Sequence, residues 1–181
     1  MNTHFWKGIV GKGFTSADFI DYVFQIKMGV WHPNFVVLHN TYMPKLSQWH
    51  SVPGEQRMKN LEVYYRDQQK WSGGPHLFVA DDLIWVFTPL TMPGVHSPSW
   101  NQISWGVEMV GDYDTEPFTI QDNVIAALAT LHKFGKLNPS LLKFHKEDPR
   151  TTHKECPGKN VVKADILQAL NDKLIALQTV E

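Results

Sequence analysis

Helical and strand-like patterns alternate irregularly along this chain, and few folds accommodate that alternation. Apolar residues recur at helical spacing over residues 16–28, 54–69, 119–136 and 163–178. Short apolar or β-branched runs between them predict strands over residues 35–38, 76–80, 84–90, 103–110 and 141–144. The last of these runs is equally compatible with a helix end. The mixture predicts an α/β fold with a central mixed β-sheet flanked by helices.

The composition predicts one globular domain that covers residues 1–181. Apolar residues make up 43 % and aromatic residues 12 %, which suits a packed core. No internal repeat or low-complexity linker divides the chain, so we place no domain boundary. Because 17 basic residues nearly balance 18 acidic ones, we exclude nucleic acid as the main partner, since phosphate binding needs an excess of Lys and Arg.

The sequence carries no recognisable signal for export or membrane insertion. The N-terminal segment lacks the apolar stretch of a signal peptide, and no window reaches the ~20 apolar residues of a membrane span. The single cysteine, Cys156, cannot form an intrachain disulfide. We therefore expect a monomer without a membrane span, synthesised in the cytoplasm without a signal peptide.

Two histidines and the cysteine stand where apolar runs give way to polar loops. His39 and His145 each follow such a run, and Cys156 lies in a charged loop just before a Pro-Gly turn. Two imidazoles and a thiolate suit Zn²⁺, and three protein ligands leave the fourth coordination position open. The alternatives are a hydrogen-bonded structural histidine and an inert buried cysteine. His153 is an alternative ligand to His145, but it lies only three residues before Cys156.

A catalytic zinc also needs a base and a group that stabilises the developing oxyanion. Glu108 is the candidate base, because it lies in an apolar strand where a carboxylate is costly to bury without a partner. The alternative is a salt bridge or a hydrogen-bonded structural carboxylate. Lys154 precedes Cys156 by two residues and is the candidate oxyanion group, unless it is a solvated loop lysine. His96 and Trp100 occupy a loop suited to contact with a sugar or peptide, or one ordered by its own aromatics.

Three segments together resemble the zinc-dependent N-acetylmuramoyl-L-alanine amidases, a family of phage endolysins, bacterial recycling amidases and animal peptidoglycan recognition proteins. These segments are VVLHN at 36–40, SWGVE at 104–108, and HKEDP continuing to HKECPG at 145–158. The resemblance implies that His39, His145 and Cys156 bind zinc. It further implies that Glu108 activates the attacking water and that Lys154 stabilises the tetrahedral intermediate.

The resemblance also implies a substrate, which is peptidoglycan or a muropeptide released from it. The bond cut would join the lactyl group of N-acetylmuramic acid to the L-alanine of the stem peptide, and Asn40 and His96 would lie near the substrate groove. The chain departs from the family at Pro75, where many phage members carry a tyrosine beside the zinc. Because proline has no donor, the electrophilic role would fall to Lys154 and the zinc.

Two other functions stay open at this point. A peptidoglycan receptor of the same fold would bind muropeptide without cutting it, although such members often lack the cysteine ligand. A cysteine hydrolase would use Cys156 as nucleophile with His145 or His153 as base, but the proline after Cys156 offers no N–H to an oxyanion hole. The absent export signal is compatible with an endolysin that acts on the cell wall after release, and equally with a cytoplasmic recycling enzyme.

Overall fold

Six strands form one mixed sheet in the computed structural model, which describes residues 5–178. The strands are β1 (Lys12–Phe14), β2 (Phe35–Asn40), β3 (Leu77–Val79), β4 (Ile84–Val86), β5 (Ser104–Met109) and β6 (Lys143–Phe144). Their order across the sheet is β1-β4-β3-β5-β2-β6. Strand β2 runs parallel to β5 and β6, and β3 runs parallel to β5, whereas β4 is antiparallel to β3 and β1.

Helices cover both faces of this sheet. They are α1 (Ser16–Phe24), α2 (Leu46–Trp49), α3 (Gly54–Val63), α4 (Asp122–Gly135) and α5 (Lys163–Gln178). Helix α4 packs against β2, β3 and β4, with α1 and α5 beside it, and α2 and α3 lie against the other face. The predicted mixed sheet flanked by helices is therefore confirmed. Within residues 5–178, no helix is long and apolar enough to cross a membrane.

Side-chain alternation along β5 separates the core from the face that carries polar groups. Trp105, Val107 and Met109 lie in the larger apolar core with α4. Since successive side chains of a strand point to opposite faces, Gly106 and Glu108 face the other side. That side also carries a smaller apolar cluster built from α2, α3, β3 and β4. The carboxylate therefore avoids the main core although its strand is apolar.

The first helix is shorter than its apolar periodicity predicts. The sequence predicts a helix over residues 16–28, but α1 ends at Phe24, with Thr15 as its N-cap. Ile26 and Met28 continue the apolar spacing and still pack against the core from outside the helix. The apolar spacing here indicates which side chains are buried, and side chains of a non-helical segment can be buried equally well.

The second predicted helix, over residues 54–69, changes geometry part-way. Helix α3 ends at Val63, and a π-helical turn over Tyr64–Gln68 follows it. Such turns widen the helix locally and are frequent at functional sites. This one presents Tyr65 to Trp71, with ring centroids 5.3 Å apart.

The remaining predicted elements occur with altered ends, except that α5 has the predicted bounds, residues 163–178. The predicted strands over 76–80, 84–90 and 103–110 shorten to β3, β4 and β5, and α4 starts at Asp122 instead of residue 119. Residues 141–144 contain the end of a 3₁₀ turn, Pro139–Leu141, followed by β6. Strand β1 and helix α2 were not predicted, because three or four residues are too few to show a period.

Candidate active site

The carboxyl end of β2 meets both neighbouring strands at one place. In the parallel pairing of β2 with β5, His39 lies opposite Glu108, so both side chains leave the same face of the sheet. Glu108 Oε1 is 3.9 Å from His39 Nδ1. On the other side of β2, Leu38 lies opposite Phe144, which brings the next residue, His145, level with His39. The two imidazole centroids are 4.4 Å apart.

Cys156 reaches the same place from the loop that follows His145. Its carbonyl accepts a hydrogen bond of 2.9 Å from the Lys146 N–H, which holds the loop beside His145. One ligand atom from each of His39, His145 and Cys156 lies within 4.8 Å of the other two. Two nitrogens and one sulfur at this separation can surround a single ion. The donor set fits zinc, because Ca²⁺ and Mg²⁺ prefer oxygen ligands.

The second nitrogen of each imidazole is already engaged. His39 Nε2 lies 3.1 Å from His96 Nδ1, and His145 Nε2 lies 2.9 Å from Thr151 Oγ1. Nδ1 of each ring is therefore left as the available ligand atom. Histidines that bind metals usually have their other ring nitrogen hydrogen-bonded in this way, which fixes the orientation of the ring.

Burial controls the protonation of the three potential ligands. Desolvation lowers the pKa of His39 well below 6.5, and the neighbouring His145 and His96 lower it further. Desolvation lowers the pKa of His145 to about 4. Both imidazoles are therefore neutral at pH 7, which is the state that binds a metal. Burial raises the pKa of the Cys156 thiol, as does the nearby Glu108, and a bound cation would oppose that shift.

The Glu108 carboxyl group is buried without full hydrogen bonding. Its side chain is 13 % exposed, and Oε2 has no hydrogen-bond partner among the residues described. Burial raises the pKa of Glu108 to about 8. A buried polar atom without a partner costs free energy. The orphaned oxygen beside the potential ligands therefore points to a cation, a water molecule or a substrate as its partner.

Sequence comparison gives the family of the chain. The family described as N-acetylmuramoyl-L-alanine amidase matches residues 30–159, which is more than half of the chain. The chain belongs to this family. The resemblance seen in the sequence is therefore confirmed, and the matched region contains every residue of the candidate site.

Relatives of this amidase family share its fold. Peptidoglycan-recognition protein LB of Drosophila melanogaster is 24 % identical over 167 residues, covering 86 % of this chain and 70 % of its own. The structure of the wild-type Drosophila protein superposes with a TM-score of 0.61 at 24 % identity, over 78 % of this chain and 84 % of that one. The amidase LysC from Clostridium intestinale URNW gives a TM-score of 0.61 at 28 % identity, over 78 % and 87 %. Family and neighbours together support a peptidoglycan amidase or a peptidoglycan-binding protein.

Asn40 and Lys154, two further residues expected at the site, differ in how firmly they are held. Asn40 ends β2, and its side-chain amide donates to the Gly111 carbonyl at 3.3 Å. Its backbone lies near the Cys156 thiol and lowers the pKa of that thiol, against the larger effect of burial. Lys154 is exposed, and its ammonium forms no hydrogen bond or ion pair within residues 5–178. Asn40 therefore contributes to the structure of the site, whereas Lys154 is free to move.

His96, the other residue expected near the substrate groove, has a buried side chain. The sequence predicted a loop suited to contact with a sugar or peptide, or one ordered by its own aromatics. In the structure Nδ1 of His96 lies 3.1 Å from His39 Nε2, and Nε2 lies 3.4 Å from the Ser104 carbonyl oxygen. Gly106 makes room for it, because a Cβ at this position would lie 2.3 Å from His96 Cγ. A glycine inside an apolar strand often marks such a close approach, and this signal was present in the sequence.

The other histidines near the site are structural or peripheral. His76 is fully buried; its Nδ1 accepts a hydrogen bond of 2.9 Å from the Gly106 N–H, and Nε2 lies 3.0 Å from the Met92 carbonyl oxygen. His153 is exposed, and its ring centroid is 5.4 Å from that of His145. His153 does not belong to the cluster of three potential ligands, whereas His145 does.

Sequence reasoning missed Asp148, which joins two loops of the site. Its carboxylate accepts hydrogen bonds from the Ser97 hydroxyl at 2.5 Å, the Ser99 N–H at 2.9 Å and the Arg150 N–H at 2.8 Å. Burial alone would raise the pKa of Asp148, but these hydrogen bonds lower it to about 2. The loop of His96 is thereby tied to the loop that follows His145. Nothing in the sequence pattern distinguishes this aspartate from a solvated one.

Tyr65 is a second residue that the sequence did not reveal. It packs over Gly74, where a Cβ would lie 3.1 Å from its ring, and it also contacts Phe87 edge-on at a centroid distance of 5.6 Å. Burial raises the pKa of Tyr65 well above 10, and the nearby Glu108 adds to the shift. The π-helical turn therefore places a phenol over Gly74, where the charge of the candidate base acts on it.

Proposed function

We propose that this chain is a zinc-dependent N-acetylmuramoyl-L-alanine amidase. It would hydrolyse the amide bond between the lactyl group of N-acetylmuramic acid and the L-alanine of the stem peptide. The observation that carries this proposal is the convergence of His39, His145 and Cys156, with ligand atoms within 4.8 Å, beside the buried carboxyl group of Glu108. Three ligands with one open position are typical of a catalytic zinc site and not of a structural one.

The metal would be held by His39 and His145 through Nδ1 and by Cys156 through Sγ. When bound, zinc supplies Lewis-acid chemistry that polarises the amide carbonyl and makes a nearby water more acidic. Binding would also favour the ionised carboxylate of Glu108, because a nearby dication opposes the effect of burial on its pKa. The metal would therefore increase the ionised fraction of the base at neutral pH.

Glu108 would carry the proton through the reaction. Its carboxylate accepts a proton from the attacking water while the water oxygen bonds to the amide carbon. When the C–N bond breaks, Glu108 returns that proton to the nitrogen of L-alanine. The products are a lactyl carboxylic acid, which ionises, and a free amine, so no other reactant is needed.

Lys154 would stabilise the negative charge that develops on the amide oxygen. Its ammonium is not bound to another described group, so it can move towards a substrate held above Cys156. Asn40 would line the groove at the end of β2. We further propose that residues 1–181 act as one catalytic domain and as a monomer, on the cell wall or on muropeptides released from it.

Mass spectrometry of zinc-loaded protein incubated with purified sacculi and with soluble muropeptides tests this function. Hydrolysis at the expected bond adds one water and exposes the amino group of L-alanine. Glu108→Gln should keep one equivalent of zinc and lose turnover by a hundredfold or more, on the order of a lost general acid–base. Glu55→Gln, an exposed glutamate on α3, should behave as the wild type. Turnover that survives in Glu108→Gln would remove the base from this scheme.

The recognition-protein relatives favour one other function, binding without cleavage. A mutant of Drosophila PGRP-LB has been solved in complex with tracheal cytotoxin. If the zinc-loaded wild type retains muropeptide but releases no new amine, the chain is a binding protein. If a thiol alkylator inhibits the zinc-loaded enzyme whereas a chelator does not, Cys156 is a nucleophile and the metal mechanism is wrong.

A further inference from the structure

We propose that His96 is a positioning residue for the metal centre. It accepts a hydrogen bond from His39 and thereby sets the ring nitrogen with which His39 binds zinc. This inference rests on the proposed zinc site but not on the bond that the enzyme cuts. It assigns His96 to the support of the metal instead of the substrate groove.

The hydrogen-bond partners of His96 determine where its proton lies. Its Nε2 lies 3.4 Å from the carbonyl oxygen of Ser104, and a carbonyl oxygen can only accept, so Nε2 carries the proton. A neutral imidazole with a protonated Nε2 has a lone pair on Nδ1. His96 Nδ1 therefore accepts from His39 Nε2, which lies 3.1 Å away.

The same logic extends to His39. Because its Nε2 must donate to His96, a neutral His39 has its lone pair on Nδ1. That atom lies on the side of Glu108, whose Oε1 is 3.9 Å away. The backbone carbonyl of Ser104 thus fixes the tautomer of His96, and His96 in turn fixes the tautomer of His39. His39 Nδ1 is the nitrogen left for the metal.

The His96 ring is held firmly enough to carry out this task. Its side chain is 9 % exposed, which leaves little surface for a substrate. The backbone N–H groups of His96 and Ser97 donate to Asn101 Oδ1 at 2.7 and 2.8 Å. On one side the ring lies over Gly106, where any side chain would collide with it.

The loop of His96 also supports the second histidine ligand. Ser97 donates to Asp148 at 2.5 Å, and the Thr151 N–H donates to the Asp148 carbonyl at 3.1 Å. Thr151 in turn contacts His145 Nε2. The loop that carries His96 and Ser97 is thus connected to the imidazoles of both His39 and His145. A displacement of His96 would break its hydrogen bond with His39.

Zinc titrations against a competing chelator test the proposal with the whole chain. His96→Leu leaves the His39 Nε2 proton buried without an acceptor, and we expect the Kd for Zn²⁺ to rise about 10- to 100-fold. His96→Asn places an amide oxygen near the former Nδ1, so it should recover most of the affinity. His132→Leu removes a buried imidazole from α4, outside the site, and should bind zinc as the wild type does.

Nitrogen-15 spectra of the histidine rings give a readout independent of affinity. In the zinc-loaded wild type, we expect protons on Nε2 of both His39 and His96, and none on Nδ1 of His96. A proton on His96 Nδ1 would overturn the proposal, and so would a zinc Kd of folded His96→Leu within twofold of the wild type. If His96→Leu does not fold, the wild-type spectrum and His96→Asn still decide the question. An enzyme that fails to cut peptidoglycan but shows these tautomers would refute only the proposed function.

Discussion

The buried carboxyl group of Glu108 makes the stability of the zinc-free protein depend on pH. Its pKa is about 8 in the folded chain and 4.5 in the reference state. Between these values the folded protein binds a proton that the unfolded chain has lost, so the free energy of unfolding falls as pH rises. The contribution is fully present below pH 4.5 and is lost as pH rises through 8. Across the whole window it amounts to about 5 kcal/mol.

In the upper part of this window the buried histidines oppose the effect of Glu108, so a comparison with Glu108→Gln is needed to isolate the carboxyl group. Burial lowers the pKa of His76 and of His145 from 6.5 to about 4, so their stabilising contribution is present above pH 6.5 and is lost as pH falls below it. At pH 6.5 the unfolded chain still holds about half a proton on each such imidazole, so these histidines raise the free energy of unfolding up to pH 8. Burial lowers the pKa of His39, His96 and His132 as well, and they act in the same direction. The contribution of Glu108 by itself over this range is a reduction of about 1–2 kcal/mol in the free energy of unfolding.

Urea unfolding of the metal-free protein in a chelating buffer measures this loss at pH 6.5 and pH 8. Relative to Glu108→Gln, in which the contribution of the histidines remains, the wild type and Glu55→Gln should lose about 1–2 kcal/mol between the two pH values. Saturating zinc should reduce this difference between the wild type and Glu108→Gln, because the cation favours the carboxylate. Equal pH dependence of the metal-free wild type and Glu108→Gln would refute the reasoning.

Three further substitutions probe the remaining parts of the site. Lys154→Ala should reduce kcat on the order of a hundredfold. Zinc content and melting temperature should not change, because the side chain is exposed. An unaltered kcat in steady-state kinetics would exclude Lys154 from the stabilisation of the oxyanion. Thr151→Val removes the partner of His145 Nε2 and should weaken zinc binding about 10- to 100-fold in a chelator competition, whereas Thr151→Ser should not. Gly106→Ala places a Cβ 2.3 Å from His96 Cγ and should cost about 1–3 kcal/mol in denaturant unfolding; a neutral result would mean that the ring moves freely.

The potential ligands could be found from the sequence because of where they stand on the sheet. A polar residue directly after a buried strand lies at the sheet edge, and the position of that edge is fixed by the strand. His145 directly follows β6, and His39 is the last residue but one of β2; the structure brings both together with Cys156. Proximity in the fold was thus predictable for residues attached to strands, and for the cysteine through its family motif.

The surroundings of the site could not be found in the same way. The depth of His96 depends on the path of a loop, and loop residues have no periodicity that reports which way they face. Tyr65 enters through a π-helical turn that the apolar spacing of residues 54–69 does not distinguish from an α-helix. Asp148 is held by hydrogen bonds from a loop about fifty residues away in the chain, and no local pattern encodes such a contact.

Strand register is the property on which the whole site depends. Because β2 lies between β5 and β6, His39 is the residue that can face both Glu108 and His145. A slip of one residue between β2 and β5 would turn one of the two facing groups to the opposite side of the sheet. Such a slip is opposed by Val107 and Met109, which would have to leave the main core together with it. The apolar residues of β5 therefore stabilise the fold and, through the same contacts, hold the carboxyl group beside the potential metal ligands.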